Sequence, residues 1–103
     1  MIKIIDENQF TDLIQNSNTV IQFSANWCGP CKALTNTLTN VIPANPTVHF
    51  AKIDIDNFPD LAARFGIRSI PSLIFFNSGK EVSRAMGAMQ GSKVQEFIDR
   101  HLS

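Results

Sequence analysis

The chain has little cysteine, one tryptophan and no run of like charge. Two cysteines, three residues apart, do not make the disulfide framework of a small secreted domain, which points to a reducing, cytoplasmic setting. Nine basic residues cancel nine acidic ones. That balance argues against nucleic acid or an anionic membrane as the main partner. No stretch approaches the roughly 20 apolar residues of a membrane span. The apolar run in Met1-Ile2-Lys3-Ile4-Ile5 is too short for a signal peptide. The one glycosylation-like triplet, Asn45-Pro46-Thr47, carries the proline that disqualifies it. With no linker, repeat or low-complexity segment, the 103 residues read as one domain. A chain of this size buries roughly 60–70% of its unfolded surface, enough for a core without staples.

Both cysteines lie in Trp27-Cys28-Gly29-Pro30-Cys31-Lys32. Before this stretch, Val20-Ile21-Gln22-Phe23 reads as a buried strand. After it, Leu34, Leu38 and Val41/Ile42 mark one face of a helix. The cysteines therefore fall where a strand turns into a helix N-terminus. Unpaired N–H groups and the positive end of the helix dipole favour an anion there. A thiolate is such an anion, so Cys28 is expected to have a lowered pKa, to reach solvent and to act as a nucleophile. Cys31 is expected in the first turn beneath it, at a spacing that lets a disulfide open and close. Gly29 leaves room for an incoming partner. Pro30 sets φ for the first turn, removes one donor and brings no charge. Lys32 adds weak positive potential, and Trp27 is expected as a flat apolar lid beside the sulfur. The competing reading is a zinc half-site. Structural zinc usually takes four ligands, and only His49 and His101 could complete the set. Both histidines read better as surface residues.

In order, Ile2, Ile4 and Ile5 suggest a strand, followed by a helix capped by Asp6 with Gln9 as in a capping box. Phe10, Leu13 and Ile14 form its buried face, and Asn16-Ser17-Asn18 ends it. Val20–Ser24 is apolar enough to be central and parallel. The next helix is expected from Cys28 to Ile42, stopped by Pro43 and Pro46. Val48–Asp56 reads as a strand. Asn57 and Pro59 signal a short helix that buries Leu61, Ala62 and Phe65 and ends at Gly66. Leu73–Phe76 and Glu81–Met86 form a hairpin about Asn77-Ser78-Gly79-Lys80. Val94, Phe97, Ile98 and Leu102 give a last helix capped by Gln90 or Ser92. The order βαβαβαββα implies an α/β fold, a mixed sheet of about five strands with about four helices on its two faces.

The active-site stretch, the strand ending in Lys52-Ile53-Asp54-Ile55-Asp56, the segment Phe65-Gly66-Ile67-Arg68-Ser69-Ile70-Pro71-Ser72 and Gly87-Ala88 together resemble thioredoxins over the whole chain. A lone C-x-x-C is weak evidence; with Trp before it, Gly-Pro inside it and Gly-Ile-Arg-Ser-Ile-Pro about 40 residues on, it is strong. The resemblance implies the thioredoxin fold and a dithiol–disulfide reductase in which Cys28 attacks a substrate disulfide and Cys31 resolves the mixed disulfide. It implies a cis Ile70-Pro71 bond against the disulfide, where the rival reading is a plain turn. It implies an apolar docking patch of Trp27, Gly29, Pro30, Ile70, Pro71, Gly87 and Ala88. It implies no cofactor beyond the cysteine pair and no metal, and a monomer in the cytoplasm. The partners would be a thioredoxin reductase and disulfide-bearing proteins.

The chain departs from the family at three places. Gln22 stands where most thioredoxins have a buried Asp that is thought to take the proton of the second cysteine; Gln cannot do so at neutral pH. Lys52 matches the lysine that accompanies that acid, and either favours thiolate or simply extends to solvent. Asn36 replaces a helix-kinking proline and Ser24 a common Trp. Two rivals to the general reductase are a specialised member with one dedicated partner, tuned by Gln22, and an accessory subunit whose redox chemistry is incidental. A periplasmic oxidant or isomerase fits less well, because such proteins usually carry His where this chain has Pro30.

Overall fold

The computed structural model describes residues 2–102 and shows strands and helices in the expected order. Strands β1 (Lys3–Ile4), β2 (Asn18–Ser24), β3 (Val48–Asp54), β4 (Ser72–Asn77) and β5 (Lys80–Met86) form one sheet in the order β1-β3-β2-β4-β5. Helices α1 (Glu7–Asn16), α2 (Gly29–Val41), α3 (Pro59–Arg64) and α4 (Gly91–His101) cover it. A single 3-10 turn, Ile42–Ala44, accommodates Pro43 after α2. With Asn36 in place of a proline, α2 runs as one α-helix.

Side-chain alternation along β2 sorts the core into two layers. Val20 packs with Phe50, Leu73 and Phe75 of the sheet and with Leu34, Leu38, Val94 and Ile98 of α2 and α4. Ile21 and Phe23 pack on the other face with Phe10 and Ile14 of α1 and Leu61 of α3. Phe10 meets the rings of Phe23, Phe65 and Phe76 edge-on, at centroid distances of 6.4, 5.4 and 5.8 Å, the arrangement that aromatic quadrupoles prefer. Both faces of β2 are covered, which is why it reads as an uninterrupted apolar run.

β2 is central but only half parallel. It runs parallel to β3 and antiparallel to β4. The reason lies in α3, whose six residues span about 9 Å. That is too short to carry the chain back along a seven-residue strand of about 23 Å. The chain therefore enters β4 at the end where β2 and β3 finish, with Ser72 opposite Phe23. The ends of β2 and β3, the start of α2 and the start of β4 thus meet in one place.

Several local signals hold. Asp6 and Gln9 form the capping box, with Gln9 N–H donating to Asp6 Oδ1 at 2.8 Å and Asp6 N–H to Gln9 Oε1 at 2.9 Å. Ser78 and Gly79 both have positive φ, as a two-residue hairpin turn requires. Gly66, at φ +65°, follows the Phe65 cap of α3. Others shift. β3 stops at Asp54 rather than Asp56, because Asp54 Oδ1 accepts the Asp56 N–H at 2.8 Å and turns the chain. Asn57 is not the cap of α3. Phe58 takes that position, donating its N–H to Asp54 O, with no side-chain capping bond. Gln90 is the N-cap of α4 through its backbone only.

Arg84 on β5 ties α3 to the sheet. Its Nη1 donates to Phe65 O at 2.8 Å, and its Nε and Nη2 hold Glu81 at 2.7 and 2.9 Å. The Glu81 carboxylate raises the guanidinium above its ordinary range. A cation on the C-cap carbonyl that follows α3 also suits the helix dipole. Arg84→Ala is expected to lower stability by about 1 kcal/mol, the scale of a partly exposed bidentate pair plus one carbonyl bond. A denaturant midpoint that does not move would show that the linkage contributes nothing.

Candidate active site

The site grows from the first turn of α2. Cys28 is the N-cap, in extended conformation, and Gly29 and Pro30 open the helix. Pro30 lacks an N–H where a helix has none to use. The N–H of Cys31 points back and donates to Cys28 Sγ at 3.2 Å. The first turn therefore directs both a specific donor and the dipole at the Cys28 sulfur. Cys28 and Cys31 are joined in a disulfide with their Cα atoms 5.3 Å apart, inside the range that a bridge tolerates.

The sulfur pair lies deeper than expected. Cys28 is 5% exposed, and both cysteines pack with Ala25 and with half-buried Ile55 and Ile70. The segment after β3 and the loop before β4 supply Ile55 and Ile70, and these close over the pair. The Ile70-Pro71 bond is cis. Pro71 O accepts the Gly87 N–H at 2.8 Å, which pins the end of β5 beside this loop. Gly87 holds φ +86°, where a side chain would be strained. Gly29, Pro30 and Ala88 are exposed. Ile70 thus packs on the cysteines and buried Pro71 links this loop to Gly87, while Gly29 and Pro30 adjoin the pair in the chain and Ala88 follows Gly87.

Trp27, expected as a flat apolar lid beside the sulfur, lies open to solvent. It is 69% exposed, and its Nε1–H donates to Asp56 Oδ2 at 2.8 Å. Asp56, beyond β3, holds the indole by its polar edge and leaves its faces open. Because Trp27 is the only tryptophan and adjoins Cys28, reduction is expected to change its emission clearly, since a neighbouring disulfide quenches. A spectrum that reductant leaves unchanged would mean the ring is turned away from the sulfurs.

Gln22 lies beneath Cys31, fully buried. Its Nε2 donates to Cys31 O at 2.9 Å, and its Oε1 accepts from Thr35 Oγ1 at 3.0 Å. Thr35 Oγ1 is also 3.0 Å from Cys31 O. The amide is thus satisfied at both ends. Lys52 pairs in register with Gln22 and is half-buried rather than fully extended to solvent. Lys52 and exposed Lys32 line a cleft of about 70 Å³ that reaches Cys31. His49 is exposed on β3, and His101 ends α4 against the Phe97 ring. Among the described residues, no group of three His, Cys, Asp or Glu side chains is gathered as for a metal.

Sequence reasoning missed Thr35, Ile55 and Asp56. Thr35 carried a signal, since it stands four residues after Cys31 and so on the same helix face. Ile55 and Asp56 stand at the end of the expected strand, in a segment that carries the resemblance, but nothing in their spacing shows that they reach the site.

A family model for thioredoxin matches residues 1–100. The thioredoxin of Chlamydia muridarum is 40% identical over 101 residues, 98% of this chain and 99% of its own. The structure of a Malassezia sympodialis thioredoxin superposes with a TM-score of 0.88 at 33% identity, covering 100% of this chain and 92% of its own. Oxidized mitochondrial thioredoxin 3 of Saccharomyces cerevisiae does so at 0.86 and 33%, covering 96% and 94%.

Proposed function

The chain belongs to the thioredoxin family, and from that premise we propose that Cys28 is its attacking thiol and Cys31 its resolving thiol. The protein is a protein disulfide oxidoreductase. Proteins of this family use the cysteine pair itself as the redox group, and no further cofactor is needed for the chemistry below. The observation that carries the assignment is the Cys31 N–H at 3.2 Å from Cys28 Sγ, at the N-terminus of α2.

In the reduced protein, that N–H and the helix dipole favour thiolate at Cys28. The thiolate attacks one sulfur of a substrate disulfide. A Cys28–substrate bond forms, the substrate S–S bond breaks, and the first substrate thiol leaves. Cys31 then attacks Cys28, closes the disulfide and releases the second thiol. Two electrons pass to the substrate. Trp27, Gly29, Pro30, Ile70, Pro71, Gly87 and Ala88 form the face on which a substrate strand docks. Gln22 holds the Cys31 carbonyl from below, and Lys32 and Lys52 supply positive potential at the adjacent cleft.

The partners in this reading are a thioredoxin reductase, which returns the electrons, and disulfide-bearing proteins, which take them. The protein works as a one-domain monomer in the cytoplasm. Its two cysteines form one working pair rather than a stabilising framework. No helix among the described residues is long and apolar enough to cross a membrane. The direct test is NADPH oxidation in the presence of a thioredoxin reductase and insulin. The wild-type chain should sustain turnover, and a chain with both cysteines replaced by Ser should not. Equal turnover by the two would end this reading.

A further inference from the structure

Cys31 must lose a proton before its sulfur can attack, and the side chains beneath it hold no base. The Gln22 amide is engaged by Cys31 O and Thr35 Oγ1. Neither an amide nor a hydroxyl takes a proton near neutral pH. What does reach Cys31 is the cleft of about 70 Å³, walled by Ser24 at the end of β2, Asn26 in the turn beyond it, Lys32 and Thr35 of α2, and Lys52 of β3. That space admits more than one water, and its polar walls offer them partners.

The charged groups around the thiol are few. From α2 there is Lys32 and from β3 there is Lys52, and both cations favour an anionic sulfur. β2 presents neutral Gln22 and Ser24, and the closing segments present Ala25, Ile55 and Ile70. Asp54 is the nearest carboxylate on that face of β3, paired in register with Ser24. Its Oδ1 accepts the Asp56 N–H at 2.8 Å, and it does not line the cleft.

We propose that this cleft is the proton port of Cys31: a solvent base entering beside Asn26, between Lys32 and Lys52, removes the thiol proton as the mixed disulfide resolves. The inference rests on the assignment of Cys31 as the resolving thiol. The base takes the proton. The Cys31 electron pair forms the bond to Cys28 Sγ, and the Cys28–substrate bond breaks with its pair on the departing substrate thiolate. Solvent then protonates that thiolate.

Stopped-flow reduction of Ellman's disulfide by the reduced, full-length protein separates the steps. The first thionitrobenzoate released reports attack by Cys28, and the second reports resolution. The second rate should rise with pH between about pH 6 and pH 8, as solvent base becomes more available. Added imidazole, at fixed pH and ionic strength, should raise that rate about twofold or more, as a small general base can. Asn26 is exposed, so Asn26→Phe should fold, crowd the mouth, slow the second release and abolish the response to imidazole. A second rate that is flat with pH, or indifferent to imidazole, would place the base inside the protein and overturn the proposal. So would a tenfold fall in Asp54→Asn, which would identify Asp54 as that base. A second release that persists in Cys31→Ser would instead remove the resolving assignment beneath it.

Discussion

Cys28→Ser is expected to abolish insulin reduction, while Cys31→Ser completes the first step and stops with the substrate attached. The loss in steady-state turnover should be at least about a thousandfold for either, on the scale of removing a nucleophile from a covalent mechanism. The two variants differ in what they accumulate. Cys28 is the N-cap and receives the Cys31 N–H, so its thiolate is the one the helix stabilises. Cys31 is in the first turn, 2% exposed, and is placed to attack the Cys28 sulfur once substrate is attached to it. Cys31→Ser should therefore collect mixed disulfides that Cys28→Ser does not. Limited alkylation of the reduced wild type should mark Cys28 first, read by mass spectrometry of the peptide. Preferential marking of Cys31 would reverse the roles.

Gln22→Asp is expected to lose about 1–3 kcal/mol of stability in the oxidised protein at neutral pH, the scale of a poorly compensated buried polar change. Three effects add. The donor to Cys31 O is lost, the shorter side chain withdraws from Thr35, and a carboxylate is placed where the wild-type side chain is fully buried. Burial disfavours the charged form and raises the folded-state pKa above the unfolded value of about 3.9. The folded protein then holds its proton to higher pH than the unfolded chain does. The electrostatic penalty is absent below the unfolded pKa, grows as pH rises towards the folded pKa, and is constant above it. Lys52, in register with position 22, offsets part of it. Denaturant midpoints should therefore lie closer to wild type at about pH 5 than at about pH 8. The same carboxylate would supply a base under Cys31 and speed resolution near neutral pH. Stability and resolution rate should move in opposite directions. A variant unchanged in both would show that position 22 does not act on the active site.

The features legible in the sequence are those settled within one or two helical turns. The capping box of Asp6 and Gln9 is an exchange between residues three apart. The placing of Cys28 at a helix N-terminus follows from Pro30 and the apolar spacing of Leu34, Leu38 and Val41. The Ser78-Gly79 turn follows from which residues tolerate positive φ. The cis Ile70-Pro71 bond came from the family resemblance, since the dipeptide alone is compatible with either isomer. Tertiary structure decided what depends on distant segments meeting. Asp56 holds Trp27 across 29 residues, and Gln22 meets Thr35 and Cys31 from a different element. The antiparallel entry of β4 depended on α3 being too short to cross the sheet. The depth of the disulfide depended on Ile55 and Ile70 arriving from separate loops. Periodicity and capping chemistry report a residue's own helix or strand. Which partner stands opposite it is set by how the elements pack, and so the chemistry of the cysteine pair is local while the surroundings that tune it are not.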